Sequence, residues 1–189
     1  MGPIIYRTPQ RDCRLRRRLL SAARGRFAED RLADAVSGGT RQAVLIGTAL
    51  DTFAAHNPYR DLRVFQLEQA DGCLDIDLTA SEFDPDAPVF VIRLGYPDRP
   101  GAIPVADARG LVSGTEIVFD YLADTVRECA LAERLRNTGW ELLEDLDSAT
   151  LAAHYLDLPE YDTHSAEPRV IRARVANNAG RPPSSLSAE

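Results

Sequence analysis

The stretch Arg41-Gln-Ala-Val-Leu-Ile-Gly-Thr-Ala-Leu-Asp-Thr-Phe53, followed by Arg63-Val-Phe-Gln-Leu-Glu68, decides the fold. Ala43 to Ile46 is short, apolar and flanked by turn residues, the pattern of a strand buried on both faces. Gly47 opens a tight turn. Asp51 to His56 reads as a short helix stopped by Asn57-Pro58, and Arg63 to Leu67 as a second strand with Glu68 at its end. That order suits an adenosyl group. A strand end and helix start offer free backbone N–H groups, and a carboxylate about twenty residues on reaches ribose hydroxyls.

Working outward, Gln10 to Val36 is helical, with Leu15, Leu19, Leu20, Ala23, Phe27, Leu32, Ala35 and Val36 mostly three and four apart. Gly25 is a candidate break, and Ser37-Gly38-Gly39 a stop. Downstream, Cys73 to Leu78 alternates as a half-buried strand. Pro88 to Leu94 is a buried strand, 95–104 a loop, and Val105 to Val112 a short helix. Glu116 to Asp120 is a further strand and Leu122 to Thr138 an amphipathic helix closed by Gly139. Trp140 to Leu146 is a strand, with Trp140 in the core. Ser148 to Tyr155 is a helix with Ser148 as N-cap, and Arg169 to Val175 the last strand. Strands alternating with helices predict an α/β fold with a mainly parallel sheet. The expected organisation is a basic helical segment over 1–40, an α/β domain over 41–176 and a disordered tail over 177–189.

The charge is uneven. Residues 1–41 carry ten arginines against Asp12, Glu29, Asp30 and Asp34, a net of about +6 in a chain of net charge -7. A basic arm raises nucleic acid as a partner, but no aromatic interleaving supports base stacking. The preferred reading is a basic helix neutralising an acidic body. Cys13, Cys73 and Cys129 are odd in number and lack any CxxC, and His56, His154 and His164 are scattered, so neither a disulfide framework nor a metal site is expected. No apolar run approaches the ~20 residues of a membrane span, and the N-terminus lacks an apolar signal core. A cytoplasmic protein is expected.

The chain resembles the leucine carboxyl methyltransferase-like family of class I S-adenosylmethionine-dependent methyltransferases, as a shortened and divergent member. The motifs are Arg24-Gly-Arg-Phe-Ala-Glu-Asp30, Arg41 to Thr52, Leu62-Arg-Val-Phe-Gln-Leu-Glu-Gln69, Asp75-Ile-Asp-Leu78, Phe83-Asp-Pro85, Gly114 to Tyr121 and Gly139 to Leu146. The resemblance implies a Rossmann-like methyltransferase sheet of reduced size and S-adenosyl-L-methionine as cofactor. It implies that Arg26, or Arg24 as the alternative, holds the methionine carboxylate. Gly47, Thr48 and Ala49 would pass under the cofactor, Asp51 would cap the next helix, and Glu68 would take the ribose hydroxyls. Asp77 and Leu78 would lie at the adenine, and Leu94 and Gly95 on the sulfonium side.

Three departures from the family pattern stand out. Thr48 and Ala49 replace an Ala-Gly pair, so a Cβ stands at the turn. Glu68 and Gln66 replace an Asp and a Glu two residues before it. Only Gln69-Ala-Asp-Gly72 joins the second and third strands, where a parallel crossover needs about a dozen residues. Either the third strand is repositioned or that pair is an antiparallel hairpin. The function implied is methyl transfer to an oxygen of a small-molecule acceptor in secondary metabolism. The alternative is a relative without methyl transfer, acting as an accessory or partner-binding protein or as a cofactor-independent cyclase. No catalytic residue is named: Asp120 reads as a helix N-cap, Tyr96 and His56 as acid–base candidates with His56 preferred as a helix end. A shortened core predicts a possible homodimer through the N-terminal helix.

Overall fold

The computed structural model describes residues 9–47, 50–67, 82–95, 108–122, 128–158 and 168–177. Helix α1 (Pro9–Ser37) leads into β1 (Gln42–Ile46), α2 (Asp51–Ala55), β2 (Arg63–Leu67), β3 (Val89–Arg93), a 3-10 turn at Ala108–Gly110 and β4 (Glu116–Leu122). Then follow α3 (Glu128–Asn137), β5 (Trp140–Leu146), α4 (Ser148–Leu156) and β6 (Pro168–Val175). The strands form one sheet in the order β2-β1-β3-β4-β6-β5. The β1–β2, β1–β3 and β3–β4 pairs are parallel, and β6 is antiparallel to both β4 and β5. Only β6 therefore runs against the rest. The mixed, mainly parallel α/β sheet behind an N-terminal helix is the architecture the sequence predicts.

Hydrophobic pattern explains why β1 and β3 are central. All five residues of each are buried, as strands covered on both faces must be. Alternate side chains part to two cores. On one face Ala43, Leu45, Phe90, Ile92 and Val118 meet Ala23, Phe27 and Leu32 of α1 and Leu151 of α4. On the other, Val44, Val91, Ile117, Phe119 and Ile171 meet Leu131 and Leu135 of α3 and Trp140. Trp140 is thus in the core, as its sequence context implies.

Several local expectations change. Gly25 does not break α1. A methyl there would sit 3.8 Å from the Leu50 side chain, so the glycine sits in ordinary contact distance of Leu50 inside one continuous helix. The helix ends where predicted, with Gly39 at φ +109 and the Arg41 guanidinium donating to the Val36 and Thr40 carbonyls at 2.8 and 2.9 Å. Asp147, not Ser148, caps α4: its carboxylate accepts from the Thr150 N–H at 2.8 Å. Ser148 is buried and its hydroxyl donates to the Pro168 carbonyl at 2.9 Å. Leu122 belongs to β4 instead of opening a helix. The predicted strand over 73–78 and the tail beyond 177 lie outside the described residues.

The reversed strand is held by charge as well as by backbone. Arg172 donates to Glu116 at 2.8 Å and to Glu144 at 3.1 Å, Arg174 to Glu141 at 2.7 Å, and Arg169 to Asp145 at 2.9 Å. Arginine's planar fork suits it to bridge two carboxylates in this way. Among the described residues no helix is long and apolar enough to cross a membrane, and no group of side chains is arranged to hold a metal ion.

Candidate functional site

In a parallel sheet, successive crossovers that leave one strand in opposite directions open a crevice at the carboxyl ends. Here β1 is flanked by β2 on one side and β3 on the other, so the crevice lies over the carboxyl end of β1. The last register pairs across it are Ile46 with Leu67, Ile46 with Arg93, and Arg93 with Phe119. Gly47 follows at φ +84 and Gly95 at φ +111. Both are backbone shapes that disfavour a Cβ, and both sit at the same sheet edge.

Gly47 keeps its N–H on the Leu67 carbonyl at 3.0 Å, which ties the turn to the end of β2. Asp51 begins α2, while Leu50 holds the N-cap position without a side-chain cap bond. Asp51 therefore does not cap the helix. It is exposed and accepts from Gln66 at 3.2 Å, in a first turn where the helix dipole favours a carboxylate.

Arg24 and Arg26 lie on opposite sides of α1, two residues and about 200° apart. Arg26 is exposed. Arg24 is buried beneath the sheet edge and donates to the Asp120 carboxylate at 2.5 Å. The Gly95 N–H also points at Asp120, 3.0 and 3.1 Å from its two oxygens. Asp120 is thus no helix N-cap. It is a buried member of β4 that joins α1 to the turn after β3. Burial pushes its carboxyl above the usual range, against the pull of Arg24, the Gly95 N–H and Arg93.

Leu94 is buried and Gly95 exposed at this edge. His56 ends α2, its N–H reaching the Thr52 and Phe53 carbonyls, the structural part its sequence context predicts. Thr48, Ala49, Glu68, Asp77, Leu78 and Tyr96 lie outside the described residues. The structure therefore gathers Gly47, Asp51, Leu94 and Gly95 at one edge, with Arg24 in place of Arg26 below it. Sequence reasoning missed Arg93 and gave Asp120 the wrong part. Their signal was a lone charge inside an apolar strand run, Val118-Phe-Asp120 and Val91-Ile-Arg93, which only burial against a partner or a ligand explains.

The sheet and its crevice define the class: a Rossmann-like, mainly parallel α/β fold. Residues 8–74, roughly a third of the chain, match the family model described as leucine carboxyl methyltransferase. That segment runs from the start of α1 past the end of β2, and so contains the glycine turn. Among solved structures, a DUF574 family protein from Streptomyces avermitilis MA-4680 is similar at 15% identity and a TM-score of 0.47, over 85% of this chain and 82% of that one. The [4+2]-cyclase SpnF is similar at 15% identity and a TM-score of 0.39, over 78% and 80% respectively. No curated protein matches the chain.

Proposed function

We propose that the protein is an S-adenosylmethionine-dependent methyltransferase that acts in the cytoplasm on an oxygen of a small molecule, in secondary metabolism. The observation that carries the reading is the end of β1. Gly47 turns with a positive φ at the carboxyl end of β1, between β2 and β3, and it does so inside the segment that matches the family model described as leucine carboxyl methyltransferase. Without a Cβ, its backbone admits close approach by a nucleoside.

The residues present suit the cofactor in part. Gly47 and Gly95 offer backbone at the crevice, with Leu94 packed in the core beside them. By resemblance, Thr48 and Ala49 complete the turn, Glu68 takes the ribose hydroxyls, and Asp77 and Leu78 meet the adenine. S-adenosylmethionine supplies a methyl group that is already activated. The chain then has to align the acceptor oxygen and keep water out, which accounts for the lack of an acid–base motif in the sequence.

Titration calorimetry with S-adenosylhomocysteine tests the reading. Binding should appear, and Glu68→Ala should weaken it by about 1–3 kcal/mol through lost charge-assisted bonds. Absence of heat together with no thermal shift would remove it.

One observation favours a second reading, a protein of this fold without methyl transfer. Arg24, the arginine turned to the sheet edge, already holds a carboxylate of the chain itself. A ligand carboxylate at Arg24 would have to share it with Asp120. The same calorimetry separates the two readings. A homodimer through α1 is proposed as well, since Leu15 on that helix is 55% exposed; light scattering at monomer mass would end that idea.

A further inference from the structure

Arg93 stands at the crevice with no hydrogen-bonded or ion-paired partner among the described residues. It is 7% exposed, at the last position of the central strand β3, between Ile46 of β1 and Phe119 of β4. Alternation along β3 puts it on the face of Val89 and Val91, the α3 side, whereas Arg24 approaches from the α1 side. Among the described residues it has no hydrogen bond and no ion pair. The nearby carboxylate, Asp120, influences it but is committed to Arg24 and to the Gly95 N–H.

Arginine is rarely buried unless paired. Burial of the Arg93 side chain lowers its affinity for its own proton, with Asp120 opposing. A guanidinium that ends at a crevice without a hydrogen-bonded partner is placed to take one from a ligand. The surroundings select the ligand. One unmatched positive charge balances one negative charge, and its register neighbours Ile46 and Phe119 are both buried apolar side chains. A dianion would leave a net charge among apolar side chains.

We propose that Arg93 receives the carboxylate of the acceptor molecule, so that the acceptor is an apolar or aromatic acid. This rests on the methyltransferase reading for the word acceptor, though not for the anion site. Arginine's planar fork fits a carboxylate bidentately.

The test uses the full chain with sodium benzoate as probe and inorganic phosphate as comparison. Benzoate should raise the melting temperature of the wild type in a concentration-dependent way. Arg93→Met should weaken benzoate binding roughly tenfold to a hundredfold, yet melt no lower than the wild type without ligand, because it removes an unmatched buried cation. Should Arg93→Met not fold, Arg93→Gln carries the same expectation for benzoate. Equal benzoate response in wild type and variant, no response in either, or stronger stabilisation by phosphate overturns the inference. S-adenosylhomocysteine is titrated into the same samples. Cofactor binding without benzoate binding removes this inference alone, whereas Arg93-dependent benzoate binding without cofactor binding supports the site and removes methyl transfer. A loss of S-adenosylhomocysteine affinity in Arg93→Met would assign Arg93 to the cofactor's own carboxylate and overturn the claim about the acceptor.

Discussion

Arg24 and Asp120 meet at 2.5 Å although 96 residues separate them. Their side chains are 6% and 2% exposed, so the pair sits where removing one partner strands the other. Asp120→Leu should therefore destabilise the protein by about 3–5 kcal/mol. The double variant Arg24→Met with Asp120→Leu should recover most of that loss, since an apolar pair of similar bulk avoids desolvation altogether. Urea denaturation of the four proteins of this cycle measures both. Additive losses would mean that the two side chains do not act as a unit.

Asp120 should titrate above the ordinary carboxyl value of 3.8, chiefly because burial disfavours its charge. A carboxyl raised by folding contributes stability while protonated. That contribution is complete below the ordinary value and is lost as pH rises through the folded one. Arg24 pulls the other way, so Arg24→Met should move the Asp120 carboxyl resonance to a still higher pH in a carbon-13 titration. A downward move would contradict the assigned balance of burial and charge.

Asp147 gives the opposite sign. The Thr150 N–H holds its carboxyl below the ordinary value. Its capping contribution is present above 3.8 and fades as pH falls through the lowered folded value. Asp147→Ala should cost about 1 kcal/mol near neutral pH, and the gap to the wild type should close in acid. A gap that stays constant from pH 7 to about pH 2 would rule out a charged cap.

Gly47 and Gly95 should respond differently to alanine although both carry a left-handed backbone. Each substitution should cost about 1–2 kcal/mol of stability through strain. A methyl at Gly95 meets no protein atom within 4 Å, so within the fold its cost is strain, and its effect on cofactor affinity should be the smaller of the two. A methyl at Gly47 adds an obstruction under the proposed nucleoside and should reduce S-adenosylhomocysteine affinity roughly tenfold. Equal affinities of the two variants would place the nucleoside elsewhere.

Most of the sheet was legible in the sequence because its central strands are short apolar runs between turn residues, a pattern that few alternatives produce. The edges of elements were less so. Whether Asp147 or Ser148 caps α4 depends on one backbone angle, and either side chain is a good cap. Gly25 reads as a break because an isolated glycine weakens a helix; its contact with Leu50 is long-range and invisible locally. Asp120 reads as a cap for the same reason: its partner Arg24 stands in a distant helix. The order of strands, and hence the crevice over Gly47, depends on crossovers that periodicity does not encode.

The Gln42 side chain donates to the Asp84 carbonyl at 2.9 Å and accepts from the Asp84 N–H at 2.8 Å, while the Arg63 guanidinium donates to the Glu82 carbonyl. The approach to β3 is thereby clamped to the starts of β1 and β2, independently of the route the chain takes to get there. The start of β3 is therefore set by contacts on β1 and β2. Length variation between β2 and β3 should be tolerated, since doubling the length of a connection costs only about 0.6 kcal/mol. Relatives with longer or shorter inserts at this point can share one sheet, and a grafted peptide there would leave the scaffold standing.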